Sequence, residues 1–324
     1  MREQTGIAVV IPSYRVRNYI LDVLTKIGDE VDRIYLVDDC CPEGTALFVK
    51  NNYRDKRLTI IRHDVNQGVG GAVMTGYLAA IADNMKVIVK LDGDGQMDPS
   101  LIKDFVIPIL DGEADYTKGN RFYDLEQIST MPNIRIFGNA LLSFMTKISS
   151  GYWDIFDPTN GYTAIHCDVA KHLPFKKISK RYFFETDILF RLNTLKAVVQ
   201  DIPMNAQYGK EVSNLIVKKI IFEFIIKHLR NFLKRIFYNY YLRDMSLASL
   251  ELPLGILMTL FGIFYGGYHW LESLKMETAT PTGIVVLPAL SIMVGIQMML
   301  AFCSYDISSV PRRPIHKKLN GYSR

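Results

Sequence analysis

Cysteine is scarce and unpatterned. Cys40, Cys41, Cys167 and Cys303 are the only four in 324 residues, and no two stand in a C-x-x-C or other ligand spacing. That excludes a disulfide scaffold and a cysteine-built metal site. The adjacent Cys40 and Cys41 read as reduced thiols after a strand rather than as a redox pair. A leader is not expected either: the first apolar run, residues 7–11, follows only a few polar positions, which leaves no room for the regions of a signal peptide. The first half of the chain is therefore expected in the cytosol. No G-x-x-x-x-G-K-[ST] occurs, so a Walker-type ATPase is not expected. Gly68, Gly70 and Gly71 follow a strand and open a helix, as a dinucleotide fingerprint would, but counting from Gly68 the third glycine position is Val73. They are compatible instead with a helix that starts close to a nucleotide, since the helix amino end favours phosphate. Excess charge is small, at +5, and no nucleic-acid partner is expected.

What the chain does contain is regular alternation. Segments 7–11, 33–37, 58–62 and 87–89 read as strands, the first of them buried, and between them the apolar spacing is helical, over 18–27, near 44–52 and from the 66–71 turn to about 83. A helix over 99–110 and a strand near 116–118 continue the pattern. This order predicts an α/β domain with a mostly parallel, doubly covered sheet. Near Asp124 the alternation stops, and a helix over 134–149, a strand at 163–165, a helix from 183 to about 195 and a strand over 197–202 complete the domain.

The strand ending at residue 89 runs into Lys90-Leu91-Asp92-Gly93-Asp94-Gly95-Gln96. Two carboxylates one residue apart, in a glycine-rich turn at the carboxyl edge of a sheet, sit where open α/β folds bind ligands. They repel unless a cation lies between them, and a hard divalent ion shared with a diphosphate resolves this. An ordinary Asp/Gly turn uses the same residues. A neighbouring strand also ends in acids, Asp38 and Asp39.

Beyond residue 214 the composition changes. Residues 215–244 mix cations with large apolar side chains, the pattern of helices lying in a membrane interface. Residues 252–271 and 282–305 carry no formal charge, and each approaches the roughly 20 apolar residues needed to span a bilayer. Cations crowd before the first run and after the second, which puts both termini and the α/β domain in the cytoplasm, on a multi-pass protein of the cytoplasmic (inner) membrane. The expected domains are 1–212 (catalytic α/β), 213–248 (interfacial helices), 249–306 (transmembrane hairpin) and 307–324 (basic cytoplasmic tail). Gly262, Gly266 and Gly267 could let the two helices approach.

Together, Pro12-Ser13-Tyr14, Asp38-Asp39, the Asn66-x-Gly68-x-Gly70 turn and Asp92-Gly93-Asp94-Gly95-Gln96 resemble the family 2 inverting glycosyltransferases of GT-A fold, in particular the dolichol-phosphate mannose synthase-like branch that uses polyprenyl phosphate. The resemblance covers roughly residues 5 to 240 and extends to the bacterial polyisoprenyl-phosphate enzymes through the apolar pair. It implies transfer of a sugar from a UDP- or GDP-sugar to undecaprenyl or dolichyl phosphate, with Mg2+ or Mn2+. Pro12, Tyr14, Asp38 and Asp39 would hold the nucleoside. Asp92 and Asp94 would serve the sugar nucleotide and the metal, with Gln96 close by. Arg121, Arg135 and Asn139 would meet the acceptor phosphate, although the family tends to carry a hydroxyl residue where Asn139 stands. Two roles stay open for Asp187: orienting the donor sugar, or acting as catalytic base in an enzyme that extends a lipid-linked glycan through a hydroxyl. Residues 208–213 depart from the family's arginine-containing acceptor loop. The implied partners are the donor, the lipid acceptor and membrane lipid, with a homo-oligomer left open. A non-catalytic nucleotide-sugar-binding scaffold is the remaining reading.

Overall fold

The computed structural model describes residues 6–123, 133–204 and 217–319. The first four strands, β1 (Ile7–Ser13), β2 (Arg33–Asp38), β3 (Leu58–Arg62) and β4 (Val87–Lys90), alternate with helices α1 (Ile20–Lys26), α2 (Thr45–Asn52) and α3 (Val69–Ala82). Next come α4 (Ile102–Leu110), β5 (Tyr116–Asn120), α5 (Asn133–Ser150), β6 (Thr163–His166), α6 (Cys167–Lys171), α7 (Phe184–Leu195) and β7 (Val199–Pro203). The carboxy-terminal part holds α8 (Val217–Phe237), α9 (Ala248–Met276), α10 (Thr282–Ser308) and α11 (His316–Leu319).

The strands form one seven-stranded sheet in the order β3-β2-β1-β4-β6-β5-β7. Pairs β1–β2, β2–β3, β1–β4 and β5–β7 are parallel, whereas β6 runs antiparallel to both β4 and β5. The sheet is thus mixed, as the long excursion before β6 permits. Val9, Ile11, Leu36 and Val89 are sealed from solvent, and their core also takes in Phe105 and Tyr162, whose rings stack at 4.0 Å. The sheet grows outward from β1 in both directions, so the β1/β4 boundary is a switch point with the carboxyl ends of β1, β2 and β4 on one edge.

The chain divides into two compact units, one of residues 1–232 with 311–324 and one of residues 233–310. The first therefore takes in the tail, which composition alone sets apart. In the second, α9 and α10 have 29 and 27 residues and are long and apolar enough, by length and composition, to cross a membrane. They pack closely where side chains are absent: a Cβ on Gly255 would stand 2.8 Å from the Gly295 carbonyl, and one on Gly262 2.6 Å from Ile292. Gly266 also faces α10, through Pro288, while Gly267 meets nothing within 4 Å. Arg235 and Asp306 form a buried ion pair at 2.6 Å in the same unit, and the Tyr240 hydroxyl donates to Asp306 at 2.6 Å.

Candidate active site at the carboxyl edge of the sheet

Parallel pairing of β1 and β2 sets Ser13 opposite Asp38, and the Asp39 amide donates to the Ser13 carbonyl at 3.0 Å. On the other side of β1, the Leu91 amide donates to the Val10 carbonyl at 3.1 Å. The motifs at 12–14, 38–39 and 92–96 are thereby neighbours. Pro12 is half-buried and Tyr14 exposed, with the Arg15 guanidinium 5.4 Å from the Tyr14 ring centre. The buried Ser13 hydroxyl has no hydrogen-bond partner.

The two acids after β2 are spent on the backbone. Asp38 accepts from the Cys41 amide at 2.7 Å and the Ala46 amide at 2.8 Å, which ties the loop to the first turn of α2. Asp39 accepts from the amides of Gln67 (2.8 Å) and Gly68 (2.7 Å) and pairs with His63 Nδ1 at 2.7 Å. Gly68 has φ +85, and a Cβ there would stand 2.5 Å from the Lys180 carbonyl, so this turn needs glycine. Asp39 therefore fixes the glycine turn that opens α3.

The β4 acids are more open. Lys90, the last residue of β4, is fully buried; its Nζ reaches Asp92 Oδ1 at 2.8 Å and the Gly161 carbonyl at 2.9 Å. Burial alone would lower its pKa, but the charges of Asp92 and Glu185 outweigh that and leave it raised, so Lys90 is a cation. Asp92 keeps 28% of its side chain exposed. Gly95, at φ +78, turns the chain, and Asp94 accepts from the Gln96 amide at 3.0 Å.

A second lysine, Lys118 on β5, is also fully buried and donates to the Asn160 carbonyl. Burial lowers its pKa to about 8, against the opposing charges of Glu185 and Asp157. Lys90 and Lys118 both stand opposite Thr163 in the register, on either side of β6. Two ammonium groups thus hold consecutive carbonyls of the loop entering β6. Gly161 belongs to that arrangement: a Cβ there would lie 2.4 Å from Lys90 Nζ and 2.6 Å from Asp92 Oδ2.

Glu185 was not singled out as a site residue by sequence, which pointed to Asp187. The structure places Glu185 Oε1 3.5 Å from Lys90 Nζ, so it shares that cation with Asp92. Asp187 is buried; it accepts from the Ser179 amide at 2.8 Å and the Asn231 side chain at 3.1 Å, with Arg191 3.6 Å away. The i, i+2 spacing at a helix start separates the two acids, a signal that is legible only once the helix is placed.

On the acceptor side, Arg121 follows β5 and forks onto the fully buried Asp157, Nε to Oδ2 at 2.7 Å and Nη2 to Oδ1 at 3.0 Å. Beside this pair lies a largely apolar cavity of about 260 Å³, lined by Phe122, Asn139, Ser143, Phe144, Lys147 and Phe156 among others. Asn139 and the residue after Arg121 therefore meet at one cavity. The Arg135 side chain and residues 208–213 lie outside the described residues.

For the implied divalent ion, no three or more His, Cys, Asp or Glu side chains converge among the described residues. Mg2+ is usually held by one or two carboxylates together with substrate phosphates, so the Asp92/Asp94 turn fits a shared ion rather than a protein-enclosed one.

The sequence profile described as "Glycosyl transferase family 2" matches residues 8–173. The chain is 28% identical over 216 residues to a UDP-N-acetylglucosamine–dolichyl-phosphate N-acetylglucosaminyltransferase from Methanococcus voltae, covering 62% of this chain and 86% of the relative. It is 24% identical over 202 residues to an undecaprenyl-phosphate mannosyltransferase from Micrococcus luteus, covering 61% and 82%. Among solved structures it resembles glucosyl-3-phosphoglycerate synthase from Mycobacterium tuberculosis, in complex with Mn2+, UDP-glucose and phosphoglyceric acid, with a TM-score of 0.53, 17% identity and coverage of 71% of this chain and 79% of that one. That likeness is one of fold, and it bears out the expected GT-A architecture.

Proposed function

The chain belongs to glycosyl transferase family 2, and from that membership we propose that it is a membrane-anchored inverting transferase that moves a sugar from a nucleoside diphosphate to a polyprenyl phosphate at the cytoplasmic face. The observation that carries this reading is the carboxyl-edge acid turn: Asp92 and Asp94 follow β4 on the same sheet edge as the Asp39-pinned glycine turn, with only β1 between β2 and β4, an arrangement suited to a sugar diphosphate. The lipid-phosphate acceptors named in the Methanococcus and Micrococcus relatives supply the other substrate. The apolar cavity beside Arg121 and Asp157 suits the first isoprene units, and the two long apolar helices suit a membrane anchor.

In this reading Pro12 and Tyr14 border the nucleoside, and Asp38 and Asp39 act indirectly, by holding the α2 and α3 turns around it. Asp92 and Asp94 would hold Mg2+ or Mn2+, with Gln96 close by on the donor; when bound, the ion would supply positive charge that neutralises the leaving diphosphate. Lys90 holds Asp92 in place. An acceptor phosphate oxygen, already anionic at neutral pH, attacks the anomeric carbon as the bond to the diphosphate oxygen breaks. One displacement inverts the centre and releases the nucleoside diphosphate. Such an acceptor needs no base, in keeping with an Asp187 whose oxygens are occupied.

Replacing Asp94 by Ala tests the reading. Vesicles carrying undecaprenyl phosphate and a panel of labelled UDP- and GDP-sugars should give a charged lipid monosaccharide with the wild type and about a hundredfold less with Asp94→Ala, at an unchanged melting temperature. Unchanged transfer in the variant would overturn it.

A further inference from the structure

His63 and Thr75 flank the glycine turn, and the sequence reading gives neither a role. His63 follows β3, where its amide donates to the Asp38 carbonyl at 2.9 Å and extends the β2–β3 ladder by one bond. Its ring is buried with both nitrogens engaged: Nδ1 meets Asp39 Oδ1 at 2.7 Å, and Nε2 meets the Thr75 hydroxyl at 2.9 Å. Thr75 stands in the second turn of α3, and its hydroxyl also reaches the Gly71 carbonyl at 3.1 Å. One imidazole thus joins the acid that pins residues 67 and 68 to the helix that their turn opens.

The partners fix the protons. Asp39 also takes the Gln67 amide on Oδ1 and the Gly68 amide on Oδ2, so it acts only as an acceptor and the ring carries a proton on Nδ1. Nε2 then has two satisfied states. In a neutral ring it accepts from the Thr75 hydroxyl; in a charged ring it donates to that oxygen, and the hydroxyl turns to the Gly71 carbonyl. The tie holds in both.

A directional tie matters for α3 because its packing supplies little direction. Its 14 residues include three glycines and four alanines, and Thr75 and Tyr77 are its only polar side chains. Apolar burial is non-directional. Gly76 lets the helix close onto β1, where a Cβ would stand 2.2 Å from Val10. Such a contact sets distance but not rotation. At the far end of α3, the Tyr35 hydroxyl on β2 donates to Asp83 at 2.5 Å. Asp39, His63 and Thr75 supply the matching constraint at the end that carries the glycine turn.

We propose that His63, acting through Asp39 and Thr75, is a positioning residue for the donor nucleotide: it holds the first two turns of α3 in the rotation that sets residues 67–71 for the nucleoside diphosphate. This rests on the reading that the donor lies at this edge of the sheet. His63 touches no substrate and transfers no proton in the reaction.

Titration calorimetry on the full chain in lipid nanodiscs, with UDP and GDP as probes and Mg2+ present, tests the role without any acceptor. For the nucleotide that wild type binds better, His63→Ala should weaken affinity by about tenfold. Thr75→Val keeps the His63–Asp39 pair and the shape of the helix, and should weaken it by about fivefold through loss of one hydrogen bond. The double variant should lose no more than about twofold beyond His63→Ala, because both substitutions cut the same tie. His63→Gln, which can donate to Asp39 and accept from Thr75, should recover part of the affinity. A role confined to folding would lower the melting temperature and the number of binding-competent molecules but leave the affinity of those that remain unchanged, and that result overturns the proposal. Losses that add in full in the double variant would mean two separate effects and overturn it as well. Failure of wild type to bind either nucleotide would instead overturn the placing of the donor.

Discussion

Asp187 and Glu185 stand two positions apart, and a helix turns about 200° between such residues, so one faces the packed interior while the other reaches Lys90. Removing Asp187 would strip the acceptor from a half-buried amide and a buried carboxamide and leave Arg191 without its ion partner. Asp187→Ala should therefore cost about 2–4 kcal/mol, seen as a lower melting temperature. Asp187→Asn keeps one acceptor and should fold with a smaller loss. If the acceptor is a phosphate, that variant should retain transfer within about tenfold of wild type, whereas removal of a general base would cost about a hundredfold or more. Assays of transfer and melting on the same preparations separate the two. The paired acids at 92 and 94 were legible in the sequence because their glycine spacing marks them. Glu185 was not, since nothing in Phe183-Phe184-Glu185-Thr186-Asp187 says which acid turns toward the sheet edge. The ion pair of Arg121 with Asp157 was hidden for a similar reason: the partners are 36 positions apart.

At the level of elements, β1, β2 and β4 could be read directly because each is a largely apolar run closed by turn residues, as strands buried on both faces of a parallel sheet are, while β3 lies at the edge and is half-exposed. The reversed direction of β6 was not readable, because a four-residue strand, Thr163–His166, carries no mark of its direction. Lys90 and Lys118 are equally unexpected, as lysines inside strands whose ammonium groups find partners in the carbonyls of the loop before β6 and, for Lys90, in Asp92 and Glu185. That arrangement depends on Gly161. In Gly161→Ala the new methyl would displace either Lys90 or Asp92, neither of which can swing into solvent without giving up its partner. The expected result is a roughly 1–3 kcal/mol loss of stability from overpacking, with about a tenfold drop in kcat/KM for sugar transfer as the Asp92 carboxylate moves. Steady-state kinetics and thermal melting check both, and full activity would show that the lysine clamp does not serve the site. On α5, Phe137, Leu141 and Phe144 are exposed, and Phe144 lines the apolar cavity.

For the molecule as a whole, residues 311–319 return to the first unit after the two long apolar helices, and they are fastened there by one carboxylate. Asp115, fully buried at the start of β5, accepts from the Val198 amide at 2.8 Å, from the Ile315 and His316 amides at 2.9 Å, and pairs with His316 Nδ1 at 2.6 Å. His166 stacks on His316 at 4.3 Å, and its Nδ1 accepts from the Asp168 amide as the N-cap of α6. Burial, and then the neighbouring His316, lower the His166 pKa to about 4. An unfolded chain takes up that proton near pH 6.5. The stability held by neutral His166 is therefore complete above about pH 6.5 and is lost as the pH falls toward 4, at up to about 1.4 kcal/mol per unit. Asp115, held below the ordinary carboxylate value by His316 and three backbone amides in spite of its burial, titrates beneath that window. Asp201 acts in the opposite sense, because burial raises it to about 6 and its contribution falls as the pH rises through the same range. The wild-type curve is thus a sum of opposed effects, and the difference between it and His166→Asn isolates the clasp. Asn keeps the cap of α6 but cannot titrate. Melting of the full chain between pH 7.5 and 5 should fall more steeply in wild type than in His166→Asn, and Asp115→Asn should lower the melting temperature at every pH by weakening the carboxylate that gathers the tail. Parallel wild-type and His166→Asn curves would mean that the tail is held without help from a neutral His166.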